Sequence, residues 1–146
     1  MYQALIESEA FELLQVGDRR DLVEALVIAL VNIDAAYLDK FPDTPLLYAS
    51  GVTYQDQMPG HDVWQDIPRL LKTKRGACED LAAWRVAELN AAGETGARID
   101  VTTYPAPNGR DVTYHITVSR GDGSKEDPSA HLGMGTPIAH HSVDIF

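Results

Sequence analysis

Cysteine is all but missing from this sequence: one thiol, Cys78, in 146 residues. A single cysteine forms no internal disulfide and no cysteine-based zinc site, so nothing points to an oxidising compartment. Positive charge is scarce as well. Twelve Lys and Arg stand against 22 Asp and Glu, for a formal net charge of −10. Nucleic-acid backbones and anionic membranes both require clustered cations, so neither is expected as the main partner. Long apolar runs are absent too, the longest being ALVIALVNI, far too short to cross a bilayer. The opening residues, MYQALIESEAFELL, lack the basic n-region of a signal peptide, and a soluble protein without one is expected.

What is present resembles an ordinary globular protein. Apolar residues make up 45% of the chain and charged residues 23%, and 146 residues can enclose a real core, so a single domain over 1–146 is expected. DRRDLVEALVIALVNIDAAYLDK (18–40) has an acid-rich start and apolar residues on nearly every face. It predicts a long, mostly buried helix beginning near Asp18 or Asp21. Pro42, Pro45, Gly51, Pro59 and Gly60 break 41–62 into turns. A short helix is expected over 64–72 and another over about 78–92, with Gly93 as its C-terminal cap. The period then changes. ARIDVTTY (97–104) and RDVTYHITVSR (110–120) alternate in twos across the turn PAPNG, as half-buried strands do, and a GDG turn leads into KEDPS. Helices followed by an antiparallel meander make an α+β fold, with the Cys78 helix packed on the meander. The tail from Gly133 to Phe146 has no readable period.

Cys78 stands at the mouth of its helix, in RGACEDLAAWRVAEL (75–89). A thiol attacks as thiolate, and a helix N-terminus favours that anion through unpaired N–H groups and the positive end of its dipole. A lone cysteine is also commonly an inert packing residue. The residues downstream favour chemistry. His115 follows 37 positions later (115 − 78), on the strand face of Thr113 and Thr117, opposite Val112, Tyr114, Ile116 and Val118. With the apolar face in the core, His115 is expected on a polar face open to a site. Asp127 comes 12 positions further on (127 − 115), after one hairpin turn, and adjacent antiparallel strands can set it beside His115. A nucleophile, a base and a group that orients the base form the logic of a thiol triad. On an ideal helix Glu79 and Asp80 point about 100° and 200° away from Cys78. They are therefore expected to serve the helix N-terminus without facing the sulfur, and the thiol is expected to titrate below its ordinary value.

These motifs, in order, resemble a known family. G-x-C-E-D-L-A, a helix ending at glycine, Y-H-x-x-V on a strand, then a glycine turn and D-P-S are similar to the transglutaminase-like cysteine peptidase superfamily. The bacterial transglutaminase-like cysteine proteinases are nearest: Asp62, Trp64, Pro68 and Leu71 match one block of that branch, and Gly76, Cys78, Glu79 and Asp80 most of a second. The similarity covers roughly 60–130. It implies a papain-like α+β core with Cys78, His115 and Asp127 as the triad, acting on a peptide or protein amide. Ala77 stands where that branch carries an acid. The branch's flanking acids are calcium ligands, and Glu79 alone offers too few oxygens, so neither metal nor cofactor is expected. The chain is also similar to small proteins encoded among tailed-phage virion genes, which implies a cytoplasmic or virion-associated setting and partners in a virion or other assembly.

Further residues have weaker signals. Trp64 can pack over the cysteine or donate its indole N–H to an oxyanion, and Gln55 and Gln57 are further donors of that kind. His131, His140 and His141 show neither an i, i+4 pair nor a cysteine partner for a metal. Two functions stand open: a thiol enzyme passing an acyl group to water (the default) or to an amine, and a non-catalytic structural or adaptor module on the same fold.

Overall fold

Val23, Leu26, Val27, Leu30, Val31 and Asp34 are buried along the first helix, α1 (Arg19–Lys40), and their spacing of three and four residues marks one face. The opposite side is open, with Ile28 exposed. The sequence predicts a mostly buried helix. Instead α1 lies on the surface with one face inward, because alanines and acids rather than large apolar residues occupy much of its outer side. Residues 19–56, 63–105 and 112–134 are described by the structure, a computed structural model.

After α1 come a 3-10 turn (Leu47–Ala49), strand β1 (Thr53–Tyr54), helix α2 (Ile67–Thr73), strand β2 (Arg75–Gly76) and helix α3 (Cys78–Ala91). Strands β3 (Arg98–Pro105), β4 (Val112–Ser119) and β5 (Lys125–Glu126) follow, then one wide helical turn at Ala130–Met134. The fold is α+β. β3, β4 and β5 form an antiparallel meander in that order, with Val101 opposite Ile116 and Ile99 opposite Val118. β1 and β2 make a separate two-residue parallel pair.

The core forms where α1 and α3 pack on each other and on the apolar face of the meander. Leu30, Ala82, Ala83, Val86, Val101, Ile116 and Val118 meet there, together with Cys78 and Trp64. A second apolar cluster, Leu47, Val52, Ile67, Leu70, Leu81 and Trp84, lies under α2 and the parallel pair. Local signals explain the helix ends. Asp66 caps α2 by accepting from the Arg69 amide at 3.1 Å, so the helix starts at Ile67 rather than at residue 64. Gly93, with φ of 101°, ends α3 as its sequence position implies, and the Glu94 amide closes on the Leu89 carbonyl at 2.9 Å. No helix among the described residues is long and apolar enough to cross a membrane.

Candidate active site

The loop before Cys78 is held by backbone pairing on one side and a carboxylate on the other. Gln55 N donates to Gly76 O at 2.9 Å, so β2 runs directly into the helix that Cys78 opens. A Cβ on Gly76 would sit 2.6 Å from Leu70 Cδ2 and 3.2 Å from Leu81 Cδ2, which explains the glycine. Ala77 is the N-cap and has no side chain that can accept a hydrogen bond. Asp80, in the first turn, reaches back to take the Ala77 amide at 3.1 Å and the Gln65 amide at 2.8 Å. Asp80 is therefore structural, as its helical direction suggests.

Glu79 behaves differently from expectation. The Cys78 thiol donates to Glu79 Oε2 at 3.3 Å, and both residues are buried, Cys78 being 3% exposed. A 100° offset separates side chains at the backbone, but glutamate is long enough to fold back over the sulfur. Burial, the Glu79 charge and the thiol–carboxylate bond push the Cys78 pKa well above its ordinary value, while the Ile116 backbone amide at the sulfur pulls it down. The expected low thiol pKa is thus reversed here. The helix N-terminus still favours the anion, but desolvation and an adjacent carboxylate outweigh it.

The Ile116 amide also places β4. On this strand the amide of Val118 faces β5, and Ile116 has the same parity, so its N–H points from the same edge. β5 pairs only with Val118 and Ser119, which leaves that edge to the Cys78 end of α3. His115 is the neighbouring residue. Its Nε2 lies 2.9 Å from Asp127 Oδ2, while Asp127 Oδ1 accepts from the Ala130 amide at 3.1 Å. The carboxylate is thereby fixed by the turn that follows it, and in the neutral ring Nε2–H donates to Asp127 and Nδ1 is the basic nitrogen. Sequence alternation implies an open polar face for His115. Instead it is 3% exposed, with Asp127 from the segment after β5 folded back onto it, and Thr113 is buried as well.

Protein-family models, curated proteins and solved structures offer no match to this chain.

Trp64 is buried in the same apolar cluster as Cys78, the packing position. Gln55 is exposed and lines a cleft beside Gly76 and Ala77. Gln57, Asp62, His140 and His141 lie outside the described residues. His131 stacks on Tyr48, with ring centroids 3.8 Å apart, as part of the surface that follows Asp127. Among the described residues no group of three His, Cys, Asp or Glu could hold a metal ion.

Three features escaped sequence reading. Tyr54 comes near the thiol from β1: burial and its bond to Asp56 raise its pKa, with Cys78 and Glu79 adding to the rise. Asp34 is fully buried on α1 and accepts from the Ile67 amide at 3.0 Å. A lone acid inside the apolar run LVNIDAAY was its signal. Arg85 ties α3 to β5, holding Glu126 at 2.5 Å and Glu88 at 2.7 Å while its guanidinium lies over the Tyr48 ring. The i, i+3 spacing of Arg85 and Glu88 was visible, but the partner on β5 was not.

Proposed function

We propose that this protein is a thiol-dependent enzyme of amide bonds built on a papain-like, transglutaminase-like core. Cys78 is the nucleophile, His115 the general base and acid, and Asp127 the group that holds the imidazole. The observation that carries the reading is the 2.9 Å bond between His115 and Asp127, one residue along β4 from Ile116, whose backbone amide lies near enough to the thiol to lower the Cys78 pKa. His115 takes the thiol proton as the sulfur attacks the amide carbonyl carbon. The carbonyl electron pair moves to oxygen, and the Cys78 backbone N–H at the helix mouth stabilises that charge. As the C–N bond breaks, His115 returns the proton to the departing amine and leaves an acyl-thioester. Water, deprotonated by His115, then releases the acid; an amine in its place would make the enzyme a transferase.

Glu79 accepts a hydrogen bond from the protonated thiol in the resting protein, so substrate binding has to release the thiol from it before attack. The same observation favours the rival reading, in which Cys78 is an inert packing residue of an adaptor module, for instance in a virion. The two separate on one measurement. Incubation with p-nitrophenyl acetate, followed by intact mass and peptide mapping, is expected to give an acetyl group on Cys78 and continuing p-nitrophenol release. Cys78→Ser and His115→Ala should abolish both. Absence of the Cys78 adduct, or an unchanged His115→Ala, would establish the adaptor reading.

A further inference from the structure

Four of the twelve basic residues of this acidic chain, Arg69, Lys72, Lys74 and Arg75, fall within positions 69–75, the segment that leads to Cys78. Arg69 and Arg75 line a cleft of about 280 Å³ whose walls include Gly76 and Ala77, the two residues before the thiol. Both arginine side chains are exposed, and neither forms an ion pair with any described residue. The acids that share the cleft are already engaged. Asp56 accepts the Tyr54 hydroxyl, and Asp80 accepts the Gln65 and Ala77 amides. Lys74, close by, gives its ammonium to the Ser50 carbonyl at 2.9 Å. The cleft wall is braced as well: Gln65 Nε2 donates to the Arg75 carbonyl at 2.7 Å while Gln65 Oε1 accepts from Thr73 at 2.7 Å.

We infer that this cleft selects substrates with an acidic residue beside the acyl group delivered to Cys78, its carboxylate held by Arg69 and Arg75. The inference rests on the thiol-enzyme reading above. Planar guanidinium groups match a carboxylate with two parallel N–H bonds, and the pair is the local exception in a chain whose net charge of −10 repels anions elsewhere. The volume suits one amino-acid side chain, not a folded partner or a nucleic-acid strand.

Two measurements test it. In the first, the guanidinium Nε–H signals of the full chain are followed by NMR while N-acetyl-glutamate α-amide or its glutamine counterpart is added. The Arg69 and Arg75 signals should shift saturably with the glutamate compound alone. In the second, Cys78 is alkylated with the N-iodoacetyl derivatives of the same two amides. The acidic probe is expected to react about two- to fivefold faster at low salt, the size of a well-placed exposed ion pair. Arg69→Gln with Arg75→Gln should bring the ratio close to one while the rate with the neutral probe stays unchanged. Unmoved arginine signals overturn the inference whatever Cys78 does. Shifted signals with equal alkylation rates also overturn it, leaving an anion site unconnected to the thiol. A Cys78 inert to both probes until the protein is unfolded brings down the enzyme reading itself, and the substrate inference with it.

Discussion

A carboxylate that accepts a hydrogen bond from a thiol keeps the sulfur protonated and unreactive, and at Cys78 that carboxylate belongs to the next residue. Glu79→Gln preserves the shape of the side chain and removes the charge that, after burial, contributes most to the raised thiol pKa. More thiolate is therefore present at neutral pH. Iodoacetamide should alkylate Cys78 in this variant about tenfold faster than in wild type at pH 7, a modest fraction of the Coulomb interaction of charges this close. An unchanged rate would mean that burial alone silences the thiol. Asp127 is open to a cleaner cut. Asp127→Asn keeps an oxygen for the Ala130 amide but turns an NH2 group toward His115 Nε2, and so selects the wrong tautomer of the ring. Acetyl transfer to Cys78 should fall by about two orders of magnitude or more with little change in melting temperature. A small loss of transfer would remove Asp127 from the mechanism.

At the scale of elements, the junction between β2 and α3 carries the tightest constraint. The methyl group of Gly76→Ala would meet Leu70 Cδ2 at 2.6 Å, and Leu70 is fully buried, so it cannot swing aside into solvent. Chemical denaturation should show a loss of about 1–3 kcal/mol, as overpacking commonly costs, with Cys78 alkylation changed in the same variant because the helix mouth shifts. Unaltered stability would show that Leu70 repacks freely. This junction also marks the limit of what periodicity reveals. α3, β3 and β4 are written in the chain as runs long enough to carry a period, and the short GDG hairpin anticipates the approach of Asp127 to His115. The β1–β2 pair is two residues long and joins positions about twenty apart, so no local pattern announces it. The burial of His115 was hidden for a related reason. Alternation assigns faces to a strand but does not say which segment returns to cover the second face.

Across the whole molecule, the acids that lie inside belong to different elements but share one region. Asp34 from α1 takes the first amide of α2 and Asp80 from α3 takes the amide two residues before it; burial raises the pKa of both, and the charges of Glu79 and, less, Asp34 add to the rise at Asp80. Neither forms an ion pair with a described residue, unlike Glu88 and Glu126, which share Arg85. For Asp34 burial is the main cause of a pKa held well above the ordinary carboxyl value. Below about pH 4 the group is protonated in both the folded and the unfolded chain, and its contribution to stability is complete. As pH rises, the unfolded chain ionises first and binds fewer protons than the folded one. Stability therefore declines from about pH 4 until the folded pKa is passed, and the loss then stays constant. Asp34→Asn keeps an oxygen for the Ile67 amide and cannot ionise. It should melt at about the wild-type temperature near pH 4 and several degrees above it at pH 8, since about 1 kcal/mol moves a chain of this size by about 3 °C or more. Asp34→Leu is the control for the hydrogen bond. It also abolishes the charge, but it strands the buried Ile67 N–H, and it should be destabilised by about 1–3 kcal/mol relative to Asp34→Asn at every pH. If Asp34→Asn instead follows the wild-type curve from pH 4 to pH 8, Asp34 is ionised in the folded protein, and the buried acids are stabilised by something other than their protons.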